Sequence, residues 1–151
     1  MDLIVFAIYL AACLGAGATG AAFPPGDWYR ALTKPPWNPP DWVFPVTWMV
    51  LYLCIAGAAA RVSGQLGAEI ALALWAVQIA LNALWTPVFF GLHNIRGGAI
   101  VVSILWVTVA ACMIALWSVD TIAGLLFVPY LIWVTIASAL NLTILKLNPA
   151  S

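Results

Sequence analysis

Ten charged residues are spread so thinly along this chain that they leave five uncharged stretches, Leu3 to Gly26, Val43 to Ala60, Ile70 to Ile95, Gly97 to Val119 and Thr121 to Leu145. A charge held at mid-bilayer costs several kcal/mol, so the charges act as punctuation between spans. At a rise of about 1.5 Å per residue, about 20 apolar residues cross the hydrocarbon core, and each stretch meets that length. The expected fold is an all-α integral membrane protein: a five transmembrane helix bundle in a single domain, 1–151, with spans at about 3–23, 43–61, 69–90, 98–118 and 121–145 and a folded loop at 24–42. Composition agrees, because 66% of the residues are hydrophobic and 7% charged, whereas a soluble domain carries about a quarter charged residues. A soluble globular enzyme is thereby excluded. The formal net charge of zero leaves no basic field for nucleic acid.

The first stretch reads as a retained helix rather than a cleaved signal, since no Lys or Arg precedes it and its apolar run exceeds an h-region. Arg30, Lys34, Arg96 and Lys146 then fall on one side of the membrane and Arg61 alone on the other. That bias puts the first loop and the C-terminus on the cytoplasmic or equivalent face, with the N-terminus opposite. Cys13, Cys54 and Cys112 lie inside spans without CxxC spacing and read as small buried hydrophobes, so no metal site is expected. No phosphate-binding loop, dinucleotide motif, HExxH or internal repeat is present in the sequence.

The first loop, PPGDWYRALTKPPWNPPDWVFP from Pro24 to Pro45, holds seven of the ten prolines and three of the nine tryptophans. Asp27 is placed to cap a short helix from Trp28 to about Leu32, which the prolines at 35 and 36 then end. Prolines at 35, 36, 39 and 40 bracket Trp37 and Asn38 and remove most of their backbone freedom. Trp at a membrane edge commonly forms an interfacial belt, and Trp42 suits that role. The bracketed Trp37 and Asn38 are expected instead to form a lid over the bundle.

In the third span Trp75, Gln78, Asn82, Trp85 and Phe89 recur at spacings of three and four, which puts them within about 80° of one helix face. An unpaired amide in hydrocarbon is costly, so Gln78 and Asn82 must meet another helix, water or a ligand. Pro87 is expected to kink the end of this span and splay Phe89 and Phe90. Pro129 disturbs the fifth span in the same way, and Tyr130, Trp133, Ala137 and Asn141 share one face of it. Trp48 and Tyr52 add two rings one turn apart in the second span. Such faces suit a large, flat, mostly apolar ligand, and they suit aromatic packing equally well. In the first span Ala12, Ala16 and Gly20, with Cys13, Gly17 and Ala21 beside them, allow close helix approach within one chain or across a dimer. His93 stands alone and is assigned no site.

The segments WYRALTKPPWNPPDWVFPVTW (Trp28 to Trp48), QIALNALWTPVFFG (Gln78 to Gly91) and VPYLIWVTIASALN (Val128 to Asn141) together resemble the tryptophan-rich sensory protein family, also called translocator protein or peripheral benzodiazepine receptor, in its bacterial form. The resemblance implies a five-helix bundle, commonly a homodimer in lipid, that binds protoporphyrin IX or a haem-like tetrapyrrole and holds no covalent cofactor. Carried over by motif, it implies ligand contacts at Trp28, Tyr29, Trp37 and Asn38 of the loop, Trp48 and Tyr52 of the second span, Asn82 and Trp85 of the third, and Trp133, Ala137 and Asn141 of the fifth. The animal proteins end in a tyrosine and arginine motif proposed for sterol; here the chain reads LNLTILK from Leu140, which counts against sterol binding.

Three functions compete, beside a purely structural scaffold for which the proline-fixed loop would have no evident purpose. The first is a tetrapyrrole sensor or regulator. The second is a light- and oxygen-dependent porphyrin-degrading enzyme in which Trp48 and Trp133 are the redox-active rings, because no usual acid, base or metal is at hand. The third is a tetrapyrrole or sterol transporter, against which the missing inverted repeat and the absence of a mid-span carboxylate both weigh.

Overall fold

The computed structural model describes residues 1–149, and in it capping chemistry sets where the long helices begin. Asp2 Oδ1 accepts the Ile4 N–H at 2.8 Å and opens α1, Leu3–Ala22. Asn94 Oδ1 accepts the Gly97 N–H at 2.8 Å and opens α5, Ile95–Val119. That span therefore starts before Arg96 rather than after it, since an exposed arginine in the first turn carries its charge to the membrane edge. Asp120 Oδ1 accepts the Ile122 N–H at 2.9 Å and opens α6, Thr121–Leu147. The other Asp120 oxygen accepts from Arg61 Nε at 3.1 Å. Partial desolvation pushes the Asp120 carboxyl up, but the Ile122 and Ala123 N–H groups and the Arg61 guanidinium outweigh it and hold the group below its ordinary value.

The remaining elements are α2, Asp27–Ala31, α3, Val43–Val62, and α4, Glu69–Thr86, which runs on into one π-helical turn at Pro87–Gly91. Five of these helices, counting α4 with its π turn as one, are long and apolar enough to cross a membrane, and no strand occurs among the described residues. Asp27 is not the cap of α2. Gly26 takes that position in extended backbone, and Asp27 is the first helical residue, where its carboxylate still meets the positive end of the helix. At Pro87 the regular α-helix of the third span gives way, as expected, to the π turn, in which the Leu92 N–H reaches the Pro87 carbonyl at 2.9 Å. Pro129 lies inside an unbroken α6.

The five spans close into a ring in the order α1, α3, α6, α5, α4 and back to α1. One end of the ring is tight. Ala56, Gly57, Ala58, Ala59 and Ala60 of α3 are all buried, and side chains this small let neighbouring backbones approach closely. Ile55, Val62, Val109, Cys112, Leu116, Ala123 and Phe127 fill that end without exposure. At the other end bulky rings replace alanine. Tyr29, Phe89, Ile95, Leu140 and Ile144 form a second, smaller core under the first loop, and a space opens between the two cores.

Gly98 is required where α5 meets α6. A Cβ there would lie 2.9 Å from both Asn141 Oδ1 and Phe89 Cδ2. Gly98→Ala is expected to cost about 1–3 kcal/mol by overpacking, read as a lowered midpoint of unfolding in detergent. An unchanged midpoint would mean that Asn141 and Phe89 move aside freely.

Candidate functional site

The space between the cores is a cavity of about 690 Å³ at the loop end of the ring. Every span and the first loop contribute to its wall. The inner wall is aromatic. Trp48 and Tyr52, one turn apart on α3, lie face to face with centroids 5.6 Å apart. Trp48 meets Trp133 of α6 at 6.5 Å and 89°, and Phe44 meets the same indole edge-on at 5.5 Å. Across from them Trp85 stacks on Phe89 at 5.1 Å. On the α1 side the wall is thin. Gly17 admits the Tyr52 ring, for a Cβ there would stand 2.9 Å from Tyr52 Cε2, so the small-residue face of α1 works within the chain.

The amides of the aromatic stripes are bonded between helices. Tyr52 Oη donates to Asn82 Oδ1 at 3.3 Å, Asn82 Nδ2 donates to Tyr130 Oη at 3.1 Å, and Tyr130 Oη donates to Gln78 Oε1 at 2.7 Å. Gln78 Nε2 ends this chain, fully buried and without a partner. A second chain runs from Trp85 Nε1 to Asn141 Oδ1 at 2.9 Å and from Asn141 Nδ2 to the Ile95 carbonyl at 3.0 Å. Asn82 and Asn141 thus border the cavity while their hydrogen bonds tie α3, α4, α5 and α6 together.

Of the residues expected from the sequence, Tyr29, Trp48, Tyr52, Asn82, Trp85, Trp133, Ala137 and Asn141 line the cavity. Trp28, Trp37 and Asn38 do not. Trp28 lies flat on His93 at 4.3 Å and edge-on to Phe89 at 5.6 Å. It pins α2 to the turn after the π helix, where His93 adopts a positive φ of 52°. Trp37 points outward with 49% of its surface exposed. The prolines hold it in a turn, closed by the Asn38 N–H on the Pro35 carbonyl at 3.1 Å, in which the Asn38 amide oxygen is buried but neither residue borders the cavity. Trp42 is 67% exposed, as a belt residue is.

Cover comes instead from Tyr29, Phe23, Pro24 and Pro25, and two charges, Arg30 and Asp41, stand at the mouth. These side chains carry no helical period that sequence reasoning can read. The loop is held in place from far along the chain: the Thr33 N–H donates to Asn148 Oδ1 at 3.1 Å, and Asn148 Nδ2 donates to the Thr33 carbonyl at 2.8 Å. Lys34 Nζ donates to the carbonyls of Tyr29 at 2.8 Å and Leu32 at 3.1 Å, which closes the end of α2.

Comparison with known proteins gives a match to the model of the TspO/MBR family over residues 4–147. The protein CrtK of Rhodobacter capsulatus is 55% identical over 99% of this chain and 96% of its own length. A tryptophan-rich sensory protein of Cereibacter sphaeroides is 49% identical over 98% and 94%. The translocator protein of Bos taurus is 37% identical over 83% of this chain and 79% of its own.

Proposed function

This chain belongs to the TspO/MBR family and is an integral, multi-pass membrane protein; from that premise and its cavity we propose that it binds a porphyrin or haem-like tetrapyrrole and acts as a membrane sensor or regulator of that ligand. The observation that carries the reading is the aromatic wall. Trp48, Tyr52, Trp85 and Trp133 converge from three spans on one space, and indole and phenol faces are the surfaces on which a flat conjugated ring gains most. A volume of about 690 Å³ lies within the range of about 300–1,000 Å³ in which proteins hold small molecules. The interior carries amides and rings without a carboxylate or a cation, so it favours an apolar macrocycle over a polar metabolite. The sensory name of the Cereibacter sphaeroides relative agrees with a role in which occupancy is reported rather than cargo pumped.

A second copy belongs to this reading. Only Cys13 and Ala16 of α1 are buried within the chain, so most of that helix is left for lipid or for a partner, and we place a homodimer contact there. Titration of the purified protein with protoporphyrin IX in the dark, followed by tryptophan fluorescence, is expected to give saturable quenching at about one ligand per chain. Quenching that grows without saturation would overturn the tetrapyrrole reading. The mass of the loaded particle by light scattering is expected to be that of two chains, and a monomer would remove the dimer.

A further inference from the structure

The amides inside the cavity already have partners. Tyr52 Oη gives its proton to Asn82, and Asn82 Nδ2, Trp85 Nε1 and Asn141 Nδ2 each donate to another group of the bundle. A ligand carboxylate pushed among them would be desolvated with only neutral hydroxyl and indole groups, those of Tyr29, Thr86, Trp48 and Trp133, to meet its charge. Charge is met at the mouth, where Arg30 and Asp41 both border the cavity. Lys34, the other cation of the loop, is engaged by the carbonyls of Tyr29 and Leu32 and lies over the Tyr29 ring at 4.7 Å. Arg30 has a single weak partner, Asp27 at 3.5 Å, in a pair whose side chains are 65% and 105% exposed. Exposed pairs of this kind hold their members loosely, so the guanidinium is free to exchange Asp27 for another carboxylate.

We propose that Arg30 is a specificity-determining contact that takes a carboxylate on one edge of a flat apolar ligand. The ring then lies inward between Trp48, Trp85 and Trp133, and the acid edge lies at the first loop. Asp41 at the same mouth sets an upper limit on ligand charge, because a further carboxylate must face this anion or enter the apolar interior. At this contact a free acid is favoured over its ester. This inference rests on the tetrapyrrole reading and adds to it an orientation and a selection rule.

The test uses the full-length protein in detergent with three probes: protoporphyrin IX, its dimethyl ester and the octacarboxylate uroporphyrin. Arg30→Gln is expected to weaken the free acid roughly tenfold, the scale of one charge-assisted hydrogen bond at a wet site, and to leave the ester unchanged. The loss should shrink at high salt. Asp41→Asn is expected to tighten uroporphyrin while changing the ester little. Equal loss of acid and ester in Arg30→Gln, or no loss of either, overturns the contact alone. Absence of saturable binding of all three probes to the unaltered protein overturns the tetrapyrrole reading and this contact with it. Both substitutions lie on exposed side chains, and unchanged melting midpoints will show that folding is not what moved.

Discussion

Tyr130→Phe is expected to destabilise the bundle by roughly 2–4 kcal/mol, although it removes a single oxygen. That oxygen joins α6 to two amides of α4. It donates to Gln78 Oε1 at 2.7 Å and accepts from Asn82 Nδ2 at 3.1 Å, while Tyr130 and Gln78 are both fully buried. Because Gln78 Nε2 already lacks a partner, losing the hydroxyl leaves the whole Gln78 amide unpaired in the middle of the membrane, and half of Asn82 with it. Hydrogen bonds within membrane bundles average only about 0.6 kcal/mol, since the separated helices also find partners. The larger figure applies here because two polar groups are stranded, which costs more than a bond is worth when made. The double variant Tyr130→Phe with Gln78→Leu separates these effects: leucine needs no partner, so about half of the lost stability should return. Unfolding by denaturing detergent, read by helicity, measures both. A Tyr130→Phe midpoint equal to that of the unaltered protein would mean that these amides are satisfied in some other way.

Trp133→Ala is expected to weaken protoporphyrin binding by roughly ten- to a hundredfold, the equivalent of about 1–3 kcal/mol for one stacked aromatic ring. Trp133 is 9% exposed and forms the corner at which Trp48 and Phe44 meet edge-on. It also borders a shallow apolar groove on the outer surface, between Val46 and Val50 of α3 and Pro129 and Ile136 of α6. Truncation therefore removes a stacking surface and thins the wall between cavity and lipid. Trp37→Ala, by contrast, is expected to leave the affinity within about twofold, since that ring faces outward and does not border the cavity. Fluorescence titrations of the two variants in parallel decide between wall and lid. A large loss at Trp37 with little at Trp133 would restore the proline-bracketed turn as the cover and displace the cavity as the binding place.

The contrast between these two tryptophans marks what can be read from a sequence of this kind. Trp133 belongs to a helical period with Tyr130, Ala137 and Asn141, and a helix in lipid must turn its amide-bearing face inward. Its place in the wall follows from spacing and the cost of an unpaired amide. Trp37 lies in a turn, where prolines limit the backbone without saying which way the turn faces. Arg30 was legible only as a charge outside the spans. Its position on the cavity depends on how α2 sits, and that is set by Trp28 on His93 and by Thr33 on Asn148. Pairings across 115 residues leave no local pattern. The Asp27 cap follows from residue preference alone, but Gly26 takes that position instead; the disturbance at Pro87 is legible from the proline, whereas its form as a π turn is not.

By itself the sequence determined the solvent, the number of spans and the face each aromatic stripe presents. All three follow from one local constraint: hydrocarbon cannot solvate charges, free peptide groups or lone amides. Only the tertiary structure decided which amide bonds which hydroxyl, where the ring of helices closes and where it opens, and which loop residues stand at the mouth. Those depend on how deeply one helix sits against the next. That depth is set by the small residues from Ala56 to Ala60 at one end and by interlocked rings at the other, which is a property of pairs of helices rather than of any one segment.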